Sequence, residues 1–439
     1  MTDLLARPFK LPCGATLPNR LCKGAMTEGL ANPWLQATER HVTLYRRWSE
    51  GGAGLLLTGN VMIDRRVLER PGNVAIDRNG GLKRLRQWAQ AGTVAGNHLW
   101  MQISHAGRQS PRYVTGEPLA PSAVGLELFG NYARPRALRE EEILDFIQRF
   151  ASVAVTAREA GFTGVQIHAA HGYLLSAFLS PVTNQRTDAW GGPIENRARF
   201  LLEALRATRQ AVGADFPIAI KLNSDDFRKG GFSSEDCLNV VRLLNDEKLD
   251  LLEISGGTYE QPKLLGFEGR AESAEPQRQT TRQREAYFLD YATTIRKIAQ
   301  MPLMVTGGFR TRTGMEEALQ ENACDVIGLG RPLCTDPDFP KQLLSRAVDT
   351  APRHEKTLKL GQQRWLSGAS PIFFIKLLNV LGQQGWYYQQ LFRLGDGLQA
   401  DTQRGILKAF WLYLVDELST AMKMRKARAQ LDRGATAPD

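Results

Sequence analysis

The 439-residue sequence predicts a (β/α)8 TIM barrel, an α/β fold, on three observations. Eight short, near-continuous apolar runs recur along the chain, as expected of strands buried on both faces. Stretches of helical periodicity lie between them. Glycines, histidines, a glutamine and a lysine fall where the runs end, which is where barrels of this kind place their chemistry. A doubly wound sheet also alternates strands and helices, but eight successive units favour the barrel.

The elements follow in order. Phe9-Lys10 and Thr16-Leu17 flank Pro12-Cys13-Gly14-Ala15, a hairpin expected to plug the barrel floor. The strands are read at 20–26, 54–60, 98–104, 164–168, 218–222, 249–255, 303–306 and 326–329. Between the third and fourth, Ile143, Phe146, Ile147, Phe150 and Val153 form one face of a helix over 140–160, stopped by Gly161. Two connections are long. The one at 107–139 carries Pro111, Pro118, Pro121 and Pro135 and is read as a partial lid; the polar one at 259–284 is read as mobile. Residues 1–345 are assigned to the barrel, and 346–439 to a C-terminal helical, aromatic-rich extension. There Asp401 is read as the cap of a helix with two apolar rows, and Lys423, Arg425, Lys426 and Arg428 end it favourably. One row is Ile406, Phe410 and Leu414; the other is Leu407, Trp411, Val415, Leu418 and Met422. Both are expected to be covered, by the barrel or by a second subunit in a homo-oligomer; an interfacial membrane helix is the alternative.

Bulk properties narrow the class. With 43% hydrophobic and 23% charged residues the chain reads as a globular protein. The formal charge of +10 is spread along the sequence, with no basic run interleaved with aromatics, so nucleic acid is not an expected partner. Five scattered cysteines form no C-x-x-C pair; no metal site is expected, and a reduced, cytoplasmic location is. No signal peptide is apparent, and no run of 18 uncharged apolar residues suggests a spanning helix.

Three groups carry candidate chemistry. Thr306-Gly307-Gly308-Phe309 and Gly328-Leu329-Gly330-Arg331-Pro332 close strands seven and eight. Glycine amides and an arginine there suit a phosphate, the alternative being plain turn glycines. His168, His171 and Tyr173 follow strand four, where two ring N–H donors and a phenol could hold a carbonyl oxygen and deliver a proton. Packing and loop hydrogen bonding are the competing role for that pair. Gln102 and Lys221 are the amide and cation that an isoalloxazine ring needs. Equally, Gln102 reads as a strand-end cap and Lys221 as the ion-pair partner of Asp225 or Asp226.

Several segments together resemble the Old Yellow Enzyme family of flavin-dependent ene-reductases: Asn19-Arg20-Leu21-Cys22-Lys23-Gly24-Ala25-Met26-Thr27, Met101-Gln102-Ile103-Ser104-His105-Ala106-Gly107-Arg108, the stretch from Ile167 to Pro181, and Gly191-Gly192-Pro193-Ile194-Glu195-Asn196-Arg197. The resemblance implies FMN held by Ala25, Met26, Thr27, Gly59, Gln102, His168, Lys221, Gly307, Gly308, Gly330 and Arg331, with NADH or NADPH as hydride donor. It implies that Thr27 tunes the flavin near its C4 carbonyl, that His168 and His171 bind the carbonyl oxygen of an enone-type substrate, and that Tyr173 protonates it. Lys221 departs from the arginine frequent at that position, and a lysine loses the planar fork. Thr27 stands where one subgroup has cysteine. The lack of a cysteine cluster and of a GxGxxG domain argues against the larger iron–sulfur dienoyl-CoA reductases. The extension lies outside the family pattern. An amine or N-methyl dehydrogenase on the same barrel, or a non-redox lyase or isomerase using His168 and Lys221, are the alternatives.

Overall fold

In the computed structural model, which describes residues 3–128, 130–258, 288–368, 370–431 and 433, the eight apolar runs close into one sheet. A hairpin of β1 (Phe9–Lys10) and β2 (Thr16–Leu17) comes first. Then follow β3 (Leu21–Lys23), α1 (Glu39–Glu50), β4 (Leu55–Met62), β5 (Val74–Ala75), α2 (Leu82–Ala91) and β6 (His98–Ser104). The long connection holds β7 (Leu119–Ala120) and β8 (Arg136–Ala137), and α3 (Glu140–Ala160) and β9 (Gly164–Ala169) follow. Next come α4 (Leu174–Leu179), α5 (Ile194–Val212), β10 (Ile218–Asn223), α6 (Ser234–Leu244) and β11 (Leu251–Ser255). The barrel ends with α7 (Leu289–Arg296), β12 (Leu303–Thr306), α8 (Arg312–Gln320), β13 (Val326–Leu329) and α9 (Phe339–Leu344). Two long helices, α10 (Phe373–Gly395) and α11 (Ile406–Leu431), complete the described chain.

The barrel strands are all parallel, in the order β3-β4-β6-β9-β10-β11-β12-β13, and β13 pairs back onto β3. Every strand residue of β4, β9, β10 and β11 is buried, because helices cover the outside and side chains fill the inside. At the floor, Leu11 and Leu17 of the hairpin pack with Leu55, Trp100, Ala219, Leu251, Met304 and Val326, which makes the hairpin the plug its sequence suggested. α3 ends at Gly161, in the left-handed conformation at φ 94°, which a residue with a Cβ resists.

One expectation about these connections needs revision and one lies outside view. The 107–139 connection is partly structured: β7 pairs with β8, and Pro111 bridges Tyr132. Asp401 caps no helix. Its N–H and carbonyl are tied to the Gln390 side chain at 2.7 and 3.1 Å, and α11 starts only at Ile406. The 259–284 loop lies outside the described residues.

The connection 396–405 folds back along α10, so α11 runs beside it in the same sense. Gly382 meets Ile406, and Gly385 meets Ala409 and Tyr413. α10 packs on α1, and α11 reaches the loops at the barrel mouth. There Arg70, buried after β4, pairs with Glu417 of α11, and its guanidinium lies 3.8 Å from the Tyr388 ring centroid. Tyr113 donates to Glu417 at 3.0 Å. This seating covers Ile406 and leaves Leu407, Trp411, Val415, Leu418 and Met422 exposed, because α10 and the barrel occupy only one side of α11.

Candidate active site

At the end of β9 the backbone turns through two left-handed residues, His171 at φ 64° and Gly172 at φ 81°. A left-handed histidine is uncommon and is held here from two strands. The His171 N–H donates to Asn223 Oδ1 at 3.1 Å, and its Nε2 lies 2.7 Å from Ser255 Oγ. Asn223 is itself fixed by Asp226 and the Gly257 carbonyl. The turn brings the rings together. His168 and His171 centroids are 5.1 Å apart, and Tyr173 lies 4.8 Å from His168. Tyr173, itself buried, begins α4 as its N-terminal flanking residue.

Burial pushes the His168 pKa well below the ordinary value, helped by His171 and Lys221; burial and Lys221 do the same to His171. Both imidazoles are therefore neutral at pH 7, each with a single ring proton. The Ala170 N–H points at His168 Nδ1 at 3.4 Å, which assigns the His168 proton to Nε2. The Ser255 hydroxyl can donate to or accept from His171 Nε2, so this contact serves the ring with its proton on either nitrogen.

Below this pair a polar chain crosses the barrel interior. Gln102 donates to Gln166 at 2.7 Å, Gln166 donates to Glu253 at 2.7 Å, and Lys221 pairs with Glu253 at 3.0 Å. The expected partner of Lys221 is thereby corrected. Parallel register sets Lys221 beside both His168 and Glu253, whereas Asp226 turns to Asn223 and the Phe232 N–H and Asp225 to the Phe227 N–H. Gln102 is no strand-end cap either, since its side chain bridges to the next strand. A buried carboxylate without a cation would be costly, so Glu253 and Lys221 hold each other in place.

Around the rim, the Thr27 hydroxyl donates to Glu69 at 2.7 Å, and Asn60 donates to the same carboxylate oxygen at 2.6 Å. Gly59 is glycine for a local reason: a Cβ there would lie 2.3 Å from Glu28 Oε2 and 2.6 Å from the Met26 carbonyl. Ala25 and Met26 line the same edge, and the Met26 sulfur lies 3.4 Å from Cys334 Sγ. Gly307 and Gly308 are both left-handed, at φ 125° and 84°. The N–H groups of Gly308 and Gly330 donate to no acceptor among the described residues, and Arg331 is exposed beside them. Within 4 Å, the space a Cβ on Gly330 would take meets only the Met26 sulfur, at 3.9 Å. Undonated amides next to an exposed guanidinium fit a phosphate, and Gln102 with Lys221 supplies the amide and cation for a flavin ring. The residues present fit FMN.

The strand-end residues thus gather on one rim. Sequence reasoning placed Ser255 at the end of strand six without a role, and missed Asn223, Gln166, Glu253 and Glu69. For Gln166 and Glu253 the signal was a polar residue within an otherwise apolar run; for Glu69, in a loop, there was none.

The profile of the NADH:flavin oxidoreductase / NADH oxidase family matches residues 5–349. An NADH-dependent flavin oxidoreductase of Neonectria sp. (strain DH2) is 38% identical over 363 residues, covering 78% of this chain and 47% of that protein. The chain thus spans about half the length of that relative. One from Talaromyces variabilis is 34% identical over 419 residues, 89% of this chain and 98% of its own. Among solved structures, an Old Yellow Enzyme homologue from Zymomonas mobilis superposes with a TM-score of 0.67 at 26% identity, over 84% of this chain and 99% of that one.

Proposed function

The chain belongs to the NADH:flavin oxidoreductase / NADH oxidase family, and from that premise we propose that it reduces the activated C=C bond of α,β-unsaturated carbonyl compounds at the expense of NADH or NADPH. The observation that carries this reading is the facing of two neutral imidazoles and a phenol at the end of β9, beside a buried lysine. Bound FMN supplies hydride exchange between the nicotinamide and the β carbon of the substrate. In this reading Ala25, Met26, Thr27, Gly59, Gln102, His168 and Lys221 hold its ring, and Gly307, Gly308, Gly330 and Arg331 its phosphate. His168 Nε2–H and His171 Nδ1–H donate to the carbonyl oxygen, where negative charge develops, and each such donor is worth about 10²–10³ in rate. Their neutrality suits the task, since a proton fixed between carbonyl and imidazole stabilises the oxyanion without leaving the site charged beforehand. Tyr173 delivers the proton to the α carbon.

An amine substrate is not favoured. The aromatic faces of Tyr388 and Tyr413 near the mouth already hold a cation, Arg70. The cytoplasm is the proposed compartment, supported by five free cysteines. The test is anaerobic spectroscopy of the purified yellow protein. NADH or NADPH should bleach the flavin band, and 2-cyclohexenone should restore it. Reduction by nicotinamide without reoxidation by any enone would leave the family assignment standing and defeat the ene-reductase reading.

A further inference from the structure

α11 is apolar on two faces. Ile406, Ala409 and Tyr413 turn inward against α10. Leu407, Trp411, Val415, Leu418 and Met422, at steps of three and four residues, form a second stripe, and they are between 46% and 66% exposed. Contiguous exposed apolar surface of this kind marks a contact site. At the start of α10, Ile372, Phe373 and Phe374 are exposed too, as is Trp365 just before.

The charges of α11 are sorted in the same way. Its two acids, Asp416 and Glu417, turn toward Arg70. Its five cations, Lys408, Lys423, Arg425, Lys426 and Arg428, are all exposed. By helical spacing, Lys408, Arg425 and Lys426 border the apolar stripe. The outward face thus offers bulky apolar and aromatic side chains edged by positive charge alone.

We propose that this face docks the protein on an anionic lipid bilayer, with α11 lying in the interfacial plane. An apolar stripe rich in Leu and Trp with Lys and Arg at its margins is what such a surface takes up. The formal charge of +10 adds long-range attraction. A second copy is a poorer occupant, because a two-fold contact on this stripe would bring like cations together along both edges. No helix among the described residues is long and apolar enough to cross a membrane, so the contact is peripheral. The inference stands apart from the flavin chemistry.

Flotation tests it. The purified full-length protein is spun through sucrose with vesicles of phosphatidylcholine alone or of phosphatidylcholine with phosphatidylglycerol. It should rise with the anionic vesicles, less so in high salt. The Trp411→Gln/Leu418→Gln variant should bind about tenfold more weakly. Both side chains are exposed, so the fold should survive, as circular dichroism and flavin content will report. Lys408→Glu/Lys426→Glu should also weaken binding. Absence of flotation with anionic vesicles, or equal flotation of the Trp411/Leu418 variant, overturns the proposal. A sedimenting dimer that this variant dissociates also overturns it and makes a second copy the occupant.

Discussion

Two side chains at the histidine pair, His171 and Lys221, are placed by neighbours on other strands. His171 is held by Asn223 and Ser255, and Lys221 by Glu253, which preorganises that side of the site. Tyr173 is the group whose role separates most cleanly. Tyr173→Phe keeps the ring against His168 and removes only the acid. Stopped-flow measurement should find flavin reduction by nicotinamide unchanged, and reoxidation by 2-cyclohexenone slowed about 10²–10⁴-fold. Equal slowing of both half-reactions would point to disturbed packing instead.

Among the elements, the crossing of α10 and α11 depends on residues without bulk. A Cβ on Gly385 would fall 2.7 Å from the Tyr413 Cβ and 3.0 Å from the Ala409 carbonyl. Both neighbours are fixed, one by stacking on Tyr388, the other as helix backbone. Gly385→Val should therefore force the helices apart, costing roughly 1–3 kcal/mol. Gly405→Ala, where nothing lies within 4 Å of the added carbon, serves as the control. Thermal melts should show a lowered midpoint for the first and little change for the second. Because α11 bears Glu417, the partner of Arg70 and Tyr113, the first variant should also loosen the mouth loops.

Across the whole molecule, buried histidines link stability to pH. Burial lowers His41 to about 3 and His105 to about 4. His41 must stay neutral because its Nδ1 accepts the Thr38 N–H. The unfolded chain binds these protons near pH 6.5 and the native state does not. Their contribution is thus fully present above pH 6.5 and is lost as pH falls toward 4, at about 1.4 kcal/mol per pH unit for each ring. His41→Gln removes one such proton. Urea denaturation of both proteins between pH 6 and 4 should give a shallower decline for the variant by that amount per unit. An unchanged slope would mean that His41 titrates normally.

The sequence alone determined the barrel. Strands buried on both faces must be apolar throughout, and eight such runs between helical periods leave few other arrangements. It also determined which residues stand at the strand ends, because chain order and strand length decide that locally, and Gly161 declared its helix stop through its freedom at positive φ. Partners across strands were another matter. Lys221 meets Glu253 and Gln102 meets Gln166 through parallel register, which depends on closure of the sheet and not on spacing along the chain. The same holds for the extension. Periodicity revealed two apolar rows on α11, but only the packing of α10 against α1 and of Glu417 against Arg70 decided that Ile406 is buried while Leu407, Trp411, Val415, Leu418 and Met422 are exposed. A helix that is apolar on both sides carries no local mark of its inner face, and the choice falls to the surfaces that the rest of the fold presents.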